Sequence, residues 1–341
     1  SVGRTKQCIF VLFEANFDSP KHENGHFCAF KAIFAIKQEP TMLKLQTPVA
    51  DGPCRVGISY NDKIMMLGSC FSENIGRQLE NFGFDVCINP FGTLYNPMSI
   101  LHSIERLIEG RPFTEADCIQ IGAGDTRWCS FSHHTSFAAD SIEAFLVKAN
   151  TALECARSRF LECNKVIITL GTSWCFRHRT SGRIVSNCLK QPASDFLRLR
   201  LSCDEVIIAL HRIIDLCNST EGCERKQFIY TVSPIRHFKD GAHENQISKS
   251  TLLLGIEELM AGLPADLSMR PFYIADYFPA YEIVMDELRD YRFYAEDMCH
   301  PSEQTVNYIR ERFLDWALPA SEHKRLQEKM KEFRHSRHLQ H

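Results

Sequence analysis

One stretch near residue 70 constrains the fold of this chain more than any other. Ile64 to Leu67 are consecutive apolar residues, enough for a buried strand, and Gly68-Ser69-Cys70 follows them directly. Apolar residues then recur at helical spacing, on one face, at Phe71, Ile75, Leu79 and Phe82. The predicted order is therefore strand, glycine turn and helix, which presents a nucleophile at the carboxyl edge of a parallel sheet.

Cys70 is the first candidate for chemistry in this stretch. It would lie in the first helical turn, where unpaired N–H groups and the positive end of the helix dipole stabilise a thiolate. Gly68 would permit the sharp turn, and Ser69 would cap the helix. The alternative is a packing residue, because the chain has 15 cysteines and free cysteines are mostly buried for packing.

Strand-like and helix-like segments alternate along most of the chain. The predicted strands are, in chain order, Ile64–Leu67, Phe84–Pro90, Lys165–Gly171, Phe228–Pro234 and Phe272–Ala275. Helical patterns separate them, so we predict an α/β fold with three α/β/α layers and a mainly parallel sheet. Sites in such folds lie at the carboxyl ends of strands. The loops at those ends are Gly68–Cys70, Gly92–Asn96, Gly171–Ser173 and Ser233–His243. Val185–Pro192 is predicted to be a further polar loop.

Three parts of the chain differ in character. Residues 1–41 precede a plausible native beginning at Met42, and we expect them to form an extension outside the folded core. Residues 42–318 carry the alternating pattern and are predicted to form one α/β domain. Residues 319–341 are basic and weakly apolar, which favours a solvated helix over a nucleic-acid-binding arm.

Composition argues against several classes of protein. A net charge of −3 provides no global field that would recruit nucleic acid or an anionic membrane. No apolar run approaches the roughly 20 residues of a membrane span. The cysteines are irregularly spaced without a C-x-x-C pair, which favours reduced thiols and a cytoplasmic location over a zinc ribbon. Nothing in the sequence requires a metal or an organic cofactor, and the oligomeric state is not indicated.

Asp297 and His300 form the second half of a candidate catalytic set. They are three residues apart and precede Pro301, which is predicted to open the last core helix. On one turn, the carboxylate can accept a hydrogen bond from one imidazole nitrogen and leave the other facing a nucleophile. Such a pair is common by itself, but it gains weight when it follows a strand, glycine and nucleophile pattern.

Several blocks in a fixed order resemble one known family. They are Gly68-Ser69-Cys70-Phe71, Asn89-Pro90-Phe91-Gly92-Thr93-Leu94-Tyr95-Asn96-Pro97, Leu170-Gly171-Thr172-Ser173-Trp174, Ser233-Pro234, Tyr277-Phe278-Pro279-Ala280-Tyr281-Glu282 and Asp297-Met298-Cys299-His300-Pro301. Together they resemble the GSCFA family of SGNH (GDSL-type) hydrolases, named for a Gly-Ser-Cys-Phe-Ala motif. Ser72 stands where the motif has Ala.

The resemblance implies a flavodoxin-like, SGNH hydrolase-like fold with a nucleophile after the first strand and an Asp-x-x-His pair before the last helix. The usual opening is Gly-Asp-Ser, and its register places Ser69 at the Asp position and Cys70 at the nucleophilic Ser. A shift of one residue would exchange these roles, so Ser69 is the alternative nucleophile. The oxyanion hole implied by the resemblance comprises Cys70, Gly92, Gly171 and Ser173, with Ser173 replacing the family's Asn and with Asn96 as an alternative donor.

The leading functional hypothesis is hydrolysis of an acyl ester carried by a small molecule or a carbohydrate. Cys70 would attack the carbonyl, His300 would transfer the proton, and Asp297 would orient His300. Acyl transfer to a glycan acceptor is one alternative, because a thiol suits thioester chemistry. A non-catalytic ligand-binding protein of the same fold is another.

Three further residues are predicted to contact the substrate. They are Asn96, Ser233 and His237, each in a loop that follows a predicted strand. For His237 the alternative is an ordinary surface-loop histidine. The helix dipole and His300 are expected to lower the pKa of the Cys70 thiol from its free value of about 8.5.

Overall fold

The structure is a computed structural model that describes residues 46–52, 54–262 and 275–338. The predicted extension over residues 1–41 lies outside the described residues, as do Phe272, Tyr273 and Ile274 of the last predicted strand. The basic C-terminal segment is described as far as residue 338. The thirteen cysteines among the described residues are free thiols.

Helices and strands alternate along the described chain. The strands are β1 Lys63–Gly68, β2 Asp85–Ile88, β3 Ile119–Gln120, β4 Trp128–Cys129, β5 Lys165–Leu170, β6 Trp174–His178, β7 Ile184–Val185, β8 Phe196–Arg200, β9 Gln227–Val232 and β10 Ala275–Tyr277. The helices are α1 Cys70–Asn81, α2 Pro97–Glu109, α3 Ile142–Glu162, α4 Cys203–Ser219, α5 Ala242–Gly262, α6 Ala280–Glu282, α7 Glu303–Ala317 and α8 His323–His338. A π-helical turn, Ile283–Leu288, continues α6.

Five strands form the central sheet in the order β2-β1-β5-β9-β10, and every neighbouring pair is parallel. Renumbered along the sheet, this is the 2-1-3-4-5 order of doubly wound, flavodoxin-like folds. The chain leaves β1 toward β2 on one side and reaches β5 on the other. This switch point opens a crevice at the carboxyl ends of β1 and β5, where such folds bind ligands.

The strands bury alternate residues on two opposite faces. Met65 and Leu67 of β1 pack with α2, α3, α4 and α5, whereas Ile64 and Met66 pack with α1, α7 and the π-helical turn. Successive side chains of a strand point to opposite faces, so a run that is apolar throughout requires cover on both sides. The predicted three-layer α/β/α fold is therefore confirmed.

A small antiparallel sheet is inserted between β5 and α4. Strand β6 pairs with both β7 and β8, so the order is β7-β6-β8. The sequence predicted only a polar loop over Val185–Pro192 and no strands at β6 or β8. Because β7 has two residues and β8 is half exposed, the segment lacks the apolar run or clean alternation that identifies a strand. This sheet forms part of the wall of the site described below.

The last helix returns to the core. Leu326 on α8 is buried with the α1 and α7 side of the sheet, and Met330 and Phe333 pack against it in part. None of the helices among the described residues combines the length and the apolar character that a membrane crossing requires.

Candidate active site

The turn between β1 and α1 is built so that only glycine fits at its first position. Gly68 has φ +143°, and a Cβ atom placed on it would lie 2.2 Å from the carbonyl oxygen of Thr169 on the neighbouring strand. The Gly68 N–H donates to Asn89 Oδ1 at 2.9 Å, which ties the turn to the end of β2. The turn therefore places the next two residues at the carboxyl edge of the sheet.

Ser69 and Cys70 leave this turn in different environments. Ser69 holds the N-cap position of α1 but is fully buried, and its Oγ makes no hydrogen bond within the described residues. The predicted side-chain cap is therefore wrong, and only the carbonyl of Ser69 bonds to the helix, accepting from the Glu73 N–H at 3.3 Å. Cys70 is the first residue of α1, is half buried and lines an open groove. Only Cys70 of this pair is positioned to meet a ligand.

The expected low pKa of the Cys70 thiol is wrong. Burial raises the pKa above its ordinary value, and the Glu73 carboxylate acts in the same direction. The N–H groups of Cys70 and Phe71, at the start of α1, and the charge of Lys249 oppose this rise without cancelling it. Desolvation of a thiolate therefore outweighs the helix terminus here, and the thiol is protonated near neutral pH.

Asp297 and His300 form a closely bonded pair on the loop before α7. Their Nδ1 and Oδ2 atoms are 2.5 Å apart, while Asp297 Oδ1 accepts from the N–H groups of Cys299 and His300 at 2.9 Å each. These bonds hold the pKa of Asp297 at about 2, the backbone donors contributing most. The carboxylate is therefore ionised near neutral pH and fixes the ring with Nε2 directed away from it.

The groove brings Cys70, Asp297 and His300 to one place. It encloses about 760 Å³ and lies at the carboxyl edge of the sheet. Aromatic side chains from the inserted sheet and from the loop after β9 form part of its wall: Trp174, Phe176 and Phe238. The spacing argument could join Asp297 to His300, but only the sheet topology joins that pair to Cys70.

The predicted oxyanion donors are mostly engaged elsewhere. The N–H of Gly92 donates to Asn89 O at 2.7 Å, and the N–H of Gly171 donates to Tyr95 O at 2.8 Å. Ser173 is fully buried, and its N–H and its hydroxyl both donate hydrogen bonds to Ser248 Oγ. The backbone N–H of Cys70 is different, because Cys70 is the first residue of α1 and the first N–H groups of a helix have no acceptor inside the helix.

Asn96 supplies a donor that the other predicted positions do not. It caps α2 by accepting from the Ser99 N–H through Oδ1 at 2.9 Å, and it lines the groove. Fixing Oδ1 in this way fixes the orientation of the side-chain amide. Its Nδ2 then remains available as a hydrogen-bond donor to a bound group.

Ser233 and His237 follow β9 but occupy different positions. Ser233 is fully buried, and its Oγ accepts from the Ile235 N–H at 3.3 Å, so it does not line the groove. His237 lines the groove, and its Nε2 is buried without a hydrogen-bond partner among the described residues. Burial, assisted by Lys249 and His300, lowers the pKa of His237 to about 4. A neutral imidazole with a free nitrogen faces the same groove as His300.

Lys249 on α5 is a residue that the sequence reasoning missed. Its side chain is buried, and Nζ donates to Gly171 O at 2.6 Å and to Ser233 O at 2.7 Å, joining the ends of β5 and β9. Burial lowers its pKa to about 7, against the opposing effect of Cys70. The sequence does indicate that Lys249 is buried, because its position falls on the same face of the helix as the apolar residues Leu252, Ile256 and Leu259.

The described residues contain no group of three or more His, Cys, Asp or Glu side chains arranged to hold a metal ion. The fold and the groove define a parallel α/β protein with an open groove at the topological switch point. The model of the GSCFA family matches residues 63–313, from the start of β1 into α7. This match covers most of the 341 residues, and the chain belongs to the GSCFA family. A search of curated proteins gave no match.

Proposed function

We propose that this protein is an SGNH-like acyl-ester hydrolase with Cys70 as its nucleophile. The observation that carries the proposal is the convergence of Cys70 and the Asp297–His300 pair on one groove, although Asp297 and His300 lie 227 and 230 positions after Cys70 in the sequence. A nucleophile, a base and a group that orients the base are the elements of a triad. The volume of the groove is sufficient for a small-molecule or carbohydrate ester, and the aromatic side chains on its wall provide an apolar surface for such a ligand to pack against.

In the proposed reaction, His300 accepts the thiol proton as Cys70 Sγ attacks the ester carbonyl. The thiol is protonated beforehand, so attack and proton transfer are coupled and no resting thiolate is required. Negative charge on the carbonyl oxygen is stabilised by the Cys70 N–H and the Asn96 amide. His300 then protonates the leaving alcohol, and water releases the acyl group from Cys70 by the reverse sequence.

The test is cleavage of p-nitrophenyl acetate by the wild type and by single variants. Cys70→Ala and His300→Ala are expected to reduce kcat/KM by at least about a hundredfold, since each removes a chemical participant. Cys299→Ala is the matched control, because Cys299 lines the same groove but takes no part in the proposed reaction. Circular dichroism verifies that each variant is folded.

The outcome assigns the nucleophile. Full activity in Cys70→Ala would contradict the proposal and return the role to Ser69, despite its burial. Product analysis with an added sugar acceptor separates hydrolysis from acyl transfer, the alternative in which the glycan takes the acyl group from Cys70.

One observation favours a second function, that of a non-catalytic ligand-binding protein. The raised pKa of Cys70 is the opposite of what a pre-activated nucleophile has. Under this alternative no variant changes the rate of ester cleavage beyond the buffer reaction. A ligand would then protect Cys70 from iodoacetamide, measured by mass spectrometry at alkaline pH.

A further inference from the structure

A second, more enclosed cavity lies beside the groove. It has a volume of about 210 Å³ and shares Val185 and Ser186 with the groove wall. This is far above the roughly 10–15 Å³ that one water molecule requires. Only Phe91 of the family blocks reaches it, because its wall is formed mainly by α2, the segment that follows α2, the segment after β4 and the hairpin that joins β6 to β7.

The wall on α2 carries hydroxyl groups that the protein does not satisfy. Ser99 and Ser103 both line the cavity, and their spacing of four positions places them on one side of the helix. Both are at least nine-tenths buried, and neither Oγ has a hydrogen-bond partner among the described residues. Buried hydroxyls are normally bonded, so these two lack a partner that a water molecule or a bound group would supply.

Charge in the cavity is predominantly positive. Among the lining residues there are two guanidinium groups, Arg106 and Arg183, and one carboxylate, Asp117. Arg106 is already engaged, with Asp117 Oδ1 at 3.4 Å and with the carbonyl groups of Arg111 and Pro112.

Arg183 is exposed on the hairpin and makes no ion pair within 4 Å among the described residues, although its charge also acts on the Glu105 carboxylate. Its charge nevertheless reaches the cavity interior, where it helps to lower the pKa of His102 after the larger effect of burial. A cation at the entrance and uncharged donors inside are suited to an anion with several acceptor oxygens.

We propose that this cavity binds a small oxyanion of the phosphate class, with Arg183 pairing with it at the entrance and the hydroxyls of Ser99 and Ser103 donating to its oxygens. Inorganic phosphate and the phosphate group of a small metabolite share this chemistry. None of these three residues takes part in the ester chemistry proposed above, so a failure of either proposal would not contradict the other.

The experiment is isothermal titration calorimetry of the full chain at constant ionic strength with three probes: inorganic phosphate, glucose 6-phosphate and glucose. Arg183→Gln is expected to weaken binding of phosphate about tenfold or more, because it removes a charge-assisted contact. Ser103→Ala removes one hydroxyl and is expected to weaken it about threefold to tenfold. Arg177→Gln is the matched control, since Arg177 is exposed on the same hairpin but lines neither the cavity nor the groove.

Saturable heat with phosphate or glucose 6-phosphate, lost in Arg183→Gln and retained in Arg177→Gln, supports the proposal. The stronger of these two probes identifies whether the free ion or a phosphorylated molecule is preferred. Equal binding of glucose would overturn the choice of an anion. No saturable heat with any probe would mean that the cavity holds water alone, and the proposal would be wrong. Equal weakening of binding by the two arginine variants would mean that phosphate responds to the general surface charge and not to a site at Arg183.

Discussion

The buried amine of Lys249 leads to a prediction about stability and pH. In the folded protein its pKa is about 7, and in the unfolded chain it returns to the ordinary value of 10.5. Between these values the unfolded chain binds a proton that the folded protein does not. The free energy of unfolding therefore rises with pH in this window, by about 1.4 kcal/mol per pH unit. Below about pH 7 both states are protonated, and this contribution no longer changes with pH.

The perturbation is Lys249→Met, which keeps the length of the side chain and removes the titrating group. The variant relieves a burial penalty of about 5 kcal/mol, from the difference between the two pKa values. It also leaves the carbonyl oxygens of Gly171 and Ser233 without their donor, at about 1–3 kcal/mol each. These terms are of similar size, so the diagnostic quantity is the pH dependence and not the sign at any one pH.

The assay is urea unfolding of both proteins, followed by circular dichroism between about pH 7.5 and about pH 9.5. The stability of the wild type relative to Lys249→Met is expected to grow by about 2–3 kcal/mol across this range. Leu252→Ala is the control, because it removes a fully buried side chain from the same helix without a titrating group. It is expected to cost about 2–5 kcal/mol at every pH.

The reasoning would be refuted by a difference between wild type and Lys249→Met that stays constant over the whole range. Such a result would mean that Lys249 carries its proton in the folded state throughout, and that its two carbonyl partners compensate fully for burial. If the difference in free energy of unfolding between wild type and Leu252→Ala changed with pH in the same way, the pH dependence would be a general effect of destabilisation and not of Lys249.

Two other predictions concern the turn and the catalytic pair. Gly68→Ala is expected to lower the free energy of unfolding by about 3 kcal/mol or more, because its Cβ meets Thr169 O at 2.2 Å in a left-handed conformation. Thermal unfolding measures this, and Gly52→Ala, with open space around it, should change little. Asp297→Asn is expected to lower kcat for p-nitrophenyl acetate at least about tenfold while Tm changes little, since Asp297 is exposed and an Asn Oδ1 can still accept from the two backbone N–H groups. A wild-type kcat in that variant would show that the carboxylate does not orient the base.

Local sequence pattern determined much of the sheet. Lys165–Leu170 and Gln227–Val232 are apolar runs that must be covered on both faces, and helical stripes between them leave a parallel sheet as the consistent solution. The same kind of reasoning placed Gly68 in a turn and paired Asp297 with His300, because these contacts join residues that are close in sequence. The inserted sheet was missed for the same reason, since β7 and β8 depend on their pairing with β6 and not on their own residues, whereas residues 186–192 form the predicted loop.

Only the tertiary structure decided what surrounds each candidate residue. The choice of Cys70 over Ser69 as the exposed member of the turn depends on the packing of α1 against the sheet, which buries one side chain and leaves the other on the groove. The pKa of Cys70 followed desolvation, a property of all its neighbours, and not the helix terminus visible in the sequence. Lys249 likewise joins Gly171 to Ser233 only because β5 and β9 lie side by side, which brings both carbonyl groups within reach of its amine.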